Sequence, residues 1–239
     1  MSKKSKNSKN AAKPKGRTIY GIIGLGRFGH ALATELAESG AELMVLDNSE
    51  EKVREMREYT ENAFVVNNLD TKTLTETGIQ NCDVVVVCIG EQMDVSILTS
   101  LNLVSLGIPR VIAKAKSADH GKILSKLGAE VVYPERDMAL RLATRLETSR
   151  VLDYMQLNEQ LNISKFGIPD KIVGETVLSV NMRGRFGINI IAVENGGSVN
   201  DAVGPDYVFK NGDILIVSGK KEGTRRLIDW CEKQQKPEV

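Results

Sequence analysis

Long apolar runs are missing from this 239-residue sequence, as are the cysteine patterns of disulfide-rich or zinc-binding proteins. No stretch approaches the roughly 18 to 20 consecutive apolar residues that a transmembrane helix needs, and the N-terminus lacks the apolar core of a secretory signal. The three cysteines, Cys82, Cys88 and Cys231, form no C-x-x-C pair, so neither a disulfide scaffold nor a zinc site is indicated. The chain is therefore expected to be cytosolic.

Side chains that commonly carry out catalysis are also scarce. The sequence has two histidines, and we expect His30 just after a glycine-rich loop and His120 at the start of a surface helix, each without a catalytic partner. The Tyr-x-x-x-Lys pair of short-chain dehydrogenases, the G-x-x-x-x-G-K-[ST] phosphate loop and the G-x-S-x-G nucleophile elbow are absent. These absences favour a binding module over an enzyme.

Acidic residues are absent from positions 1–17, which contain six Lys and one Arg. The rest of the chain carries 25 basic against 31 acidic residues, so the formal net charge of +1 hides a negative body. The basic, Ser/Asn-rich segment is predicted to be a disordered tail, with contact to anionic lipid or nucleic acid as the alternative. The negative body argues against nucleic-acid binding as the main task.

A glycine-rich turn between a strand and a helix is the most informative motif. The apolar run Ile19–Ile23 ends in Gly24-Leu25-Gly26-Arg27-Phe28-Gly29, a G-x-G-x-x-G pattern, and a helical pattern follows directly. In the dinucleotide fingerprint, the first glycine makes the tight turn, the second lets the backbone approach a pyrophosphate, and the third allows close packing of helix and strand. The pattern predicts phosphates at the N-terminus of the helix.

A carboxylate at the end of the second predicted strand completes the fingerprint. Asp47 closes the run Glu42–Asp47 and lies 18 residues beyond Gly29. An acid at this position accepts hydrogen bonds from ribose hydroxyls and repels a 2′-phosphate. Together the two halves of the motif predict nucleotide binding.

The alternation of strands and helices from Thr18 predicts a doubly wound parallel sheet. Six strands with short connections give the Rossmann order 3-2-1-4-5-6, with ligands at the carboxyl ends of the strands. We expect this nucleotide-binding domain to span residues 18–148, with a last helix from about Met138 to Thr148. A small α+β domain over 161–239 is expected to follow it, because its short strand candidates are separated by Gly, Asn and Asp.

An apolar pattern between these domains predicts a linker helix over residues 149–160. Val151, Leu152, Tyr154, Met155 and Leu157 fall at helical spacing. Two interpretations stay open: the helix packs on its own chain, or it forms a dimer or interdomain contact, which we favour.

Two charged residues at the expected ligand edge are not explained by an ordinary dinucleotide site. Arg27 lies inside the glycine loop, where terminal phosphates would be, and Glu135 follows the sixth strand. Both could instead be exposed charges at helix starts. An arginine with a carboxylate suits a triphosphate and its divalent cation better than a nicotinamide.

Two sets of residues together form a recognisable pattern. They are I-I-G-L-G-R-F-G, Asp47 and Y-P-E-R-D-M in the first domain, and Gly174, Leu178, Arg183, Gly187, Ile191-Ala192, Gly197, Pro205 and Gly212-Asp213 in the second. In these residues the sequence resembles the RCK-domain regulators of Trk/Ktr-type bacterial potassium uptake, and most closely the Ktr-type soluble gating subunit. The resemblance covers about Thr18 to Trp230, and one departure is Asn67-Asn68-Leu69, where the family usually has an aspartate and small residues.

The resemblance implies a cytoplasmic homodimer that assembles into an octameric ring beneath a separate membrane potassium channel or transporter subunit. ATP or ADP would occupy the first domain and control the pore, with Mg²⁺ or Ca²⁺ held near the phosphates by Glu135. Cyclic di-AMP would bind the second domain near Arg183 and Pro205. An NAD(H)-binding redox sensor and an oxidoreductase are the alternatives. The predicted nucleotide-contacting residues are Gly24, Leu25, Gly26, Arg27, Phe28, Gly29, Asp47, Asn48, Asn67, Asn68, Leu69, Ile89, Gly90, Lys114 and Glu135.

Overall fold

A computed structural model describes residues 18–147, 151–158 and 160–232. The chain divides into two compact units, one ending at Pro134 and the other beginning at Glu135. The predicted disordered tail lies outside the described residues. None of the helices within the described ranges is long and apolar enough to cross a bilayer.

The first unit is built on a six-stranded parallel sheet of order β3-β2-β1-β4-β5-β6, which confirms the predicted Rossmann topology. The strands are β1 Ile19–Ile23, β2 Glu42–Asp47, β3 Asn62–Val65, β4 Val84–Val87, β5 Arg110–Lys114 and β6 Glu130–Val132. The helices between them are α1 Arg27–Glu38, α2 Glu50–Met56, α3 Thr71–Thr77, α4 Met93–Ser105 and α5 Ala118–Lys126, with a 3₁₀ turn at Ile79–Asn81.

Helices cover this sheet on both faces, and the central strand shows why. All four residues of β4 are buried, with Val85 and Val87 in one apolar cluster and Val84 and Val86 in another. Successive side chains of a strand point to opposite faces, so an unbroken valine run requires an apolar partner on each side. This arrangement leaves the strand ends as the place for a ligand.

The second unit is an α+β structure, as predicted. Its five-stranded antiparallel sheet has the order β10-β9-β11-β8-β7. The strands are β7 Val151–Gln156, β8 Asn162–Gly167, β9 Ile188–Asn195, β10 Ser198–Asn200 and β11 Ile214–Gly219. The helices are α6 Pro134–Glu147, α7 Val177–Val180, α8 Met182–Phe186 and α9 Lys221–Glu232, with a 3₁₀ turn at Asp170–Ile172.

The turn signals in the second unit act as the sequence indicated. Gly196 and Gly197 form the two-residue loop between β9 and β10, and both have positive φ, 56° and 82°, as a type I′ hairpin turn requires. Just before β11, the buried Asp213 accepts hydrogen bonds from the Asn195 side chain (2.6 Å) and the Tyr207 hydroxyl (2.8 Å). These bonds hold two loops against the start of the strand.

The predicted linker helix over 149–160 is wrong, because most of its described part forms strand β7, which pairs with β8. A bulge between Val151 and Asp153 shifts the alternation, so the two buried residues, Val151 and Tyr154, lie three positions apart. That spacing imitates one face of a helix. Of the exposed apolar residues of the segment, Leu152 and Met155 lie on this edge strand and Leu157 follows it directly.

Two smaller expectations also differ from the structure. Helix α6 begins at Pro134 rather than near Met138, because proline is well suited to the first helical position, and the helix falls mostly in the second unit. His120 is fully buried instead of lying on a surface. It lies on the inward face of α5 together with Gly121 and Leu124. Leu124 is one helical turn further along the chain than His120.

Candidate functional site

The glycine loop has the geometry that a phosphate-binding turn needs. Gly24 has a φ of 95°, which favours glycine, and its N–H donates to the carbonyl of Leu46 at 2.8 Å. A Cβ at Gly29 would overlap the carbonyl oxygen of Gly24, so α1 packs against the turn as closely as it does only because glycine is present. Gly26 is exposed, and apart from Gly26 and its two chain neighbours no described residue has an atom within 4 Å of the place where its Cβ would be.

This open position lies at the N-terminus of α1, for which Gly26 is the N-cap and has no side chain to cap the helix. The first N–H groups of a helix have no partner inside the helix, and the helix dipole favours negative charge there. The space above Gly26 is therefore suited to phosphate oxygens.

Asp47 joins the glycine loop to the end of β2. Its side chain is 8% exposed; Oδ2 accepts from the N–H of Leu25 at 2.5 Å, and Oδ1 accepts from the N–H of Ser49 at 2.8 Å. A carboxylate has about four acceptor positions, so each oxygen can accept another hydrogen bond, for example from a ribose hydroxyl. Asp47 thus has a structural role in the loop besides its predicted role in binding.

A cavity of about 800 Å³ opens at the carboxyl ends of β1, β2, β3 and β4, where the Rossmann topology places ligands. The structure brings nine of the predicted residues together in its lining: Gly24, Gly26, Asp47, Asn48, Asn67, Asn68, Leu69, Ile89 and Gly90. The residues of the lining that the sequence analysis missed are Ile23, Leu46, Lys52, Val66, Asp70, Cys88, Glu91, Gln92, Val95, Leu98, Thr99 and Asn102.

Helix α4 supplies the most informative of the missed residues. Val95, Leu98, Thr99 and Asn102 follow the i, i+3, i+4, i+7 spacing of one helical face. This spacing is visible in the sequence, but it does not distinguish a face that lines a cavity from one that packs in a core.

The loop after β3, where the sequence departs from the resembled family, is held by its own side chains. Asn68 Oδ1 accepts from the Thr73 hydroxyl at 2.7 Å, and Asp70 caps α3 by accepting from the N–H of Thr73, also at 2.7 Å. The amide of Asn102 donates to the carbonyl of Leu69 at 3.0 Å. That bond connects α4 to the loop across the cavity.

The other predicted residues of the first unit surround the cavity rather than line it. Leu25 and Gly29 are buried beneath the loop, Phe28 is half-buried, and Arg27 is exposed at the first position of α1. Lys114 ends β5 with its Nζ 5.9 Å from the centroid of the Phe28 ring.

The remaining predicted residues belong to the second unit. Glu135 lies in the first turn of α6. Arg183 is exposed in α8, and Pro205 is exposed with its carbonyl accepting from the N–H of Leu178 at 3.0 Å. Their roles stay predictions.

Burial shifts the pKa of two potentially reactive groups of the first unit so that both are uncharged near neutral pH. It raises the pKa of the Cys88 thiol to about 12, so this cavity-lining residue is not a thiolate near neutral pH. Burial also lowers the pKa of His120, whose Nδ1 accepts from the N–H of Lys116 at 3.3 Å. The imidazole is therefore neutral at neutral pH.

Comparison with known proteins gives matches along most of the chain. The protein-family model for the TrkA-N domain matches residues 20–134, and the family model for the TrkA-C domain matches residues 164–232. The chain is 39% identical to Ktr system potassium uptake protein C of Bacillus subtilis over 84% of this chain and 91% of that protein. It is 32% identical to Ktr system potassium uptake protein A of the same organism over 87% and 94% of the two chains.

Among solved structures, the crystal structure of the GsuK RCK domain is similar in fold. The TM-score is 0.60 at 20% sequence identity, covering 92% of this chain and 49% of that one. At this identity the likeness concerns the fold alone.

Proposed function

Because this chain belongs to the family of RCK-type potassium-uptake regulators built from a TrkA-N and a TrkA-C domain, we propose that it is the nucleotide-binding regulatory subunit of a potassium uptake system. It would act from the cytoplasmic face of the membrane on a separate channel or transporter subunit. We propose that the main task of the protein is regulation and not catalysis. Its support is the pair of similar Ktr proteins, each matched over more than nine-tenths of its length.

The observation that carries nucleotide binding is the contact between Asp47 and the glycine loop, in which the Leu25 N–H donates to Asp47 Oδ2. A carboxylate suited to ribose therefore lies next to a helix N-terminus suited to phosphate, and this proximity supports the binding of a nucleoside phosphate. We propose ATP and ADP as the physiological ligands, with their exchange as the control of ion uptake. NAD⁺ and NADH share these recognition groups and form the second candidate. Calorimetric titration of the purified protein with all four nucleotides tests nucleotide binding and separates the two candidates.

Discrimination between ATP and ADP is assigned to Arg27, the exposed first residue of α1. A guanidinium there adds a charge-assisted contact that only the γ-phosphate can make. Because the side chain is exposed, we expect Arg27→Ala to weaken ATP by about 1 to 2 kcal/mol, roughly five- to thirtyfold, and ADP much less.

Calorimetry of both nucleotides measures this difference. The control is Arg57→Ala, which removes an exposed arginine at the C-terminal end of α2, outside both the glycine loop and the cavity lining, and should change neither affinity. Equal losses for ATP and ADP in Arg27→Ala would mean that the residue only shapes the loop.

The divalent cation and the second messenger are proposals that rest on the resemblance. Glu135 within Y-P-E-R-D-M is proposed to help hold Mg²⁺ or Ca²⁺ at the phosphates, and Arg183 and Pro205 to contact cyclic di-AMP. The cation proposal predicts that Glu135→Gln removes any gain in thermal stability that Mg²⁺ or Ca²⁺ gives to the ATP-bound protein.

Assembly as a homodimer, and from dimers as an octameric ring, is proposed from exposed apolar residues and the family. The edge strand β7 exposes Leu152 and Met155, each with roughly half of its surface accessible. Unpaired edges with apolar side chains favour association. Light scattering at micromolar concentration should therefore show species larger than one chain of 26.2 kDa, and a purely monomeric sample would contradict the proposal.

A further inference from the structure

A buried threonine in the cavity lining has a hydroxyl without a hydrogen-bond partner among the described residues. Thr99, in the middle of α4, is 1% exposed and belongs to the cavity lining, and its Oγ1 has no hydrogen-bond partner within the described part of the chain. The neighbouring Ser100 donates to the carbonyl of Ser96 at 2.8 Å, the usual bond of a hydroxyl inside a helix. Thr99 lacks that bond. Because a buried hydroxyl without a partner costs free energy, a ligand is a natural partner for this one.

The position of Thr99 indicates which part of a nucleotide it would meet. The open space above Gly26 suits the phosphates, and Asp47 suits the ribose. The cavity continues beyond Asp47 between α4 and the loop after β3, which the Asn102–Leu69 hydrogen bond connects. Apolar side chains with a few polar atoms are suited to a planar base. The lining residues that α4 and the loop after β3 contribute include Val66, Leu69, Leu98, Thr99 and Asn102.

We propose that the Thr99 hydroxyl forms a hydrogen bond with the base edge of the bound adenine nucleotide, and that Thr99 is a specificity-determining residue. The inference rests on the proposed nucleotide binding at this cavity. A hydroxyl can donate to a ring nitrogen and accept from an exocyclic amino group, so either atom of the base can be its partner.

The test replaces Thr99 with valine, which has the same shape without the hydroxyl. Affinity for ATP and ADP should fall by the same factor, about three- to tenfold, because the base is common to both. The melting temperature of the nucleotide-free protein should stay the same or rise, because an unsatisfied buried hydroxyl is removed. Thr99→Ser, which keeps the hydroxyl, should retain most of the affinity.

Ser96→Ala is the matched control. Ser96 lies on the same helix, is fully buried, and its Oγ also has no partner among the described residues, but it is not in the cavity lining. Its replacement should leave both affinities unchanged.

The outcomes separate this inference from the function on which it rests. Wild-type protein that binds ATP while Thr99→Val binds it equally well would overturn the role of Thr99 and leave nucleotide binding intact. A loss for ATP alone would place the hydroxyl at the phosphates and overturn base recognition. A lower melting temperature in nucleotide-free Thr99→Val would show that the hydroxyl already has a partner in the protein, which also contradicts the inference. If the wild-type protein binds no nucleotide, both the proposed nucleotide binding and the role of Thr99 are overturned.

Discussion

Replacing Gly29 with alanine is expected to destabilise the first unit strongly, whereas the same change at Gly26 should leave the fold intact and weaken nucleotide binding. The added Cβ at position 29 would overlap the carbonyl oxygen of Gly24, a backbone atom that cannot move without opening the turn. We expect a loss of about 3 kcal/mol or more in the free energy of unfolding, at or beyond the upper end of overpacking costs.

Gly26→Ala is the matched variant because it adds the same atom three residues earlier. Apart from Gly26 and its two chain neighbours, no described residue has an atom within 4 Å of that Cβ, and the φ of −69° at Gly26 is one that alanine adopts readily. The methyl group would occupy the space where we place the pyrophosphate. Thermal unfolding without nucleotide, followed by titration with ADP, compares the two variants.

Two results would contradict this division of roles between the glycines. Gly29→Ala with wild-type stability would mean that the helix can move away from the turn at little cost. Gly26→Ala with unchanged ADP affinity would mean that phosphates do not approach the loop at this position.

The topology and the glycine loop could be predicted from sequence because their determinants are local. A valine run flanked by helical patterns requires a strand buried on both faces, and glycines at fixed spacing after β1 require a tight turn. Asp47 was predicted for binding, but its hydrogen bond to Leu25, 22 positions away, depends on two parallel strands ending side by side.

The features that sequence reasoning missed depend on packing between distant segments. A bulge in β7 gave Val151 and Tyr154 a helical spacing, and only their pairing with β8 shows that they belong to a strand. His120 lies in the first turn of α5 close to charged residues, yet it is buried on the same face of the helix as Leu124. The sequence does not distinguish Thr99 from other helical residues, because its place in the cavity lining depends on the contact between α4 and the loop after β3.

The second large effect is expected from Asp47. Its replacement by alanine removes the acceptor for ribose and leaves the N–H groups of Leu25 and Ser49 without their carboxylate. We expect adenine nucleotides to bind about 2 to 4 kcal/mol more weakly, on the order of thirty- to a thousandfold, with similar losses for ATP and ADP. Titration of both nucleotides measures the loss, and thermal unfolding without ligand shows how much of it comes from the loop.

Asp47→Asn separates the charge of this side chain from its shape. Asparagine keeps one acceptor oxygen for the loop but removes the negative charge that repels a phosphate on the ribose 2′ position. The variant should therefore bind ADP more weakly than the wild type and adenosine 2′,5′-bisphosphate more tightly, so the two ligands respond with opposite sign. General damage to the cavity would weaken both ligands together. That result, or unchanged ADP affinity in a folded Asp47→Ala protein, would mean that Asp47 supports the glycine loop without contacting ribose.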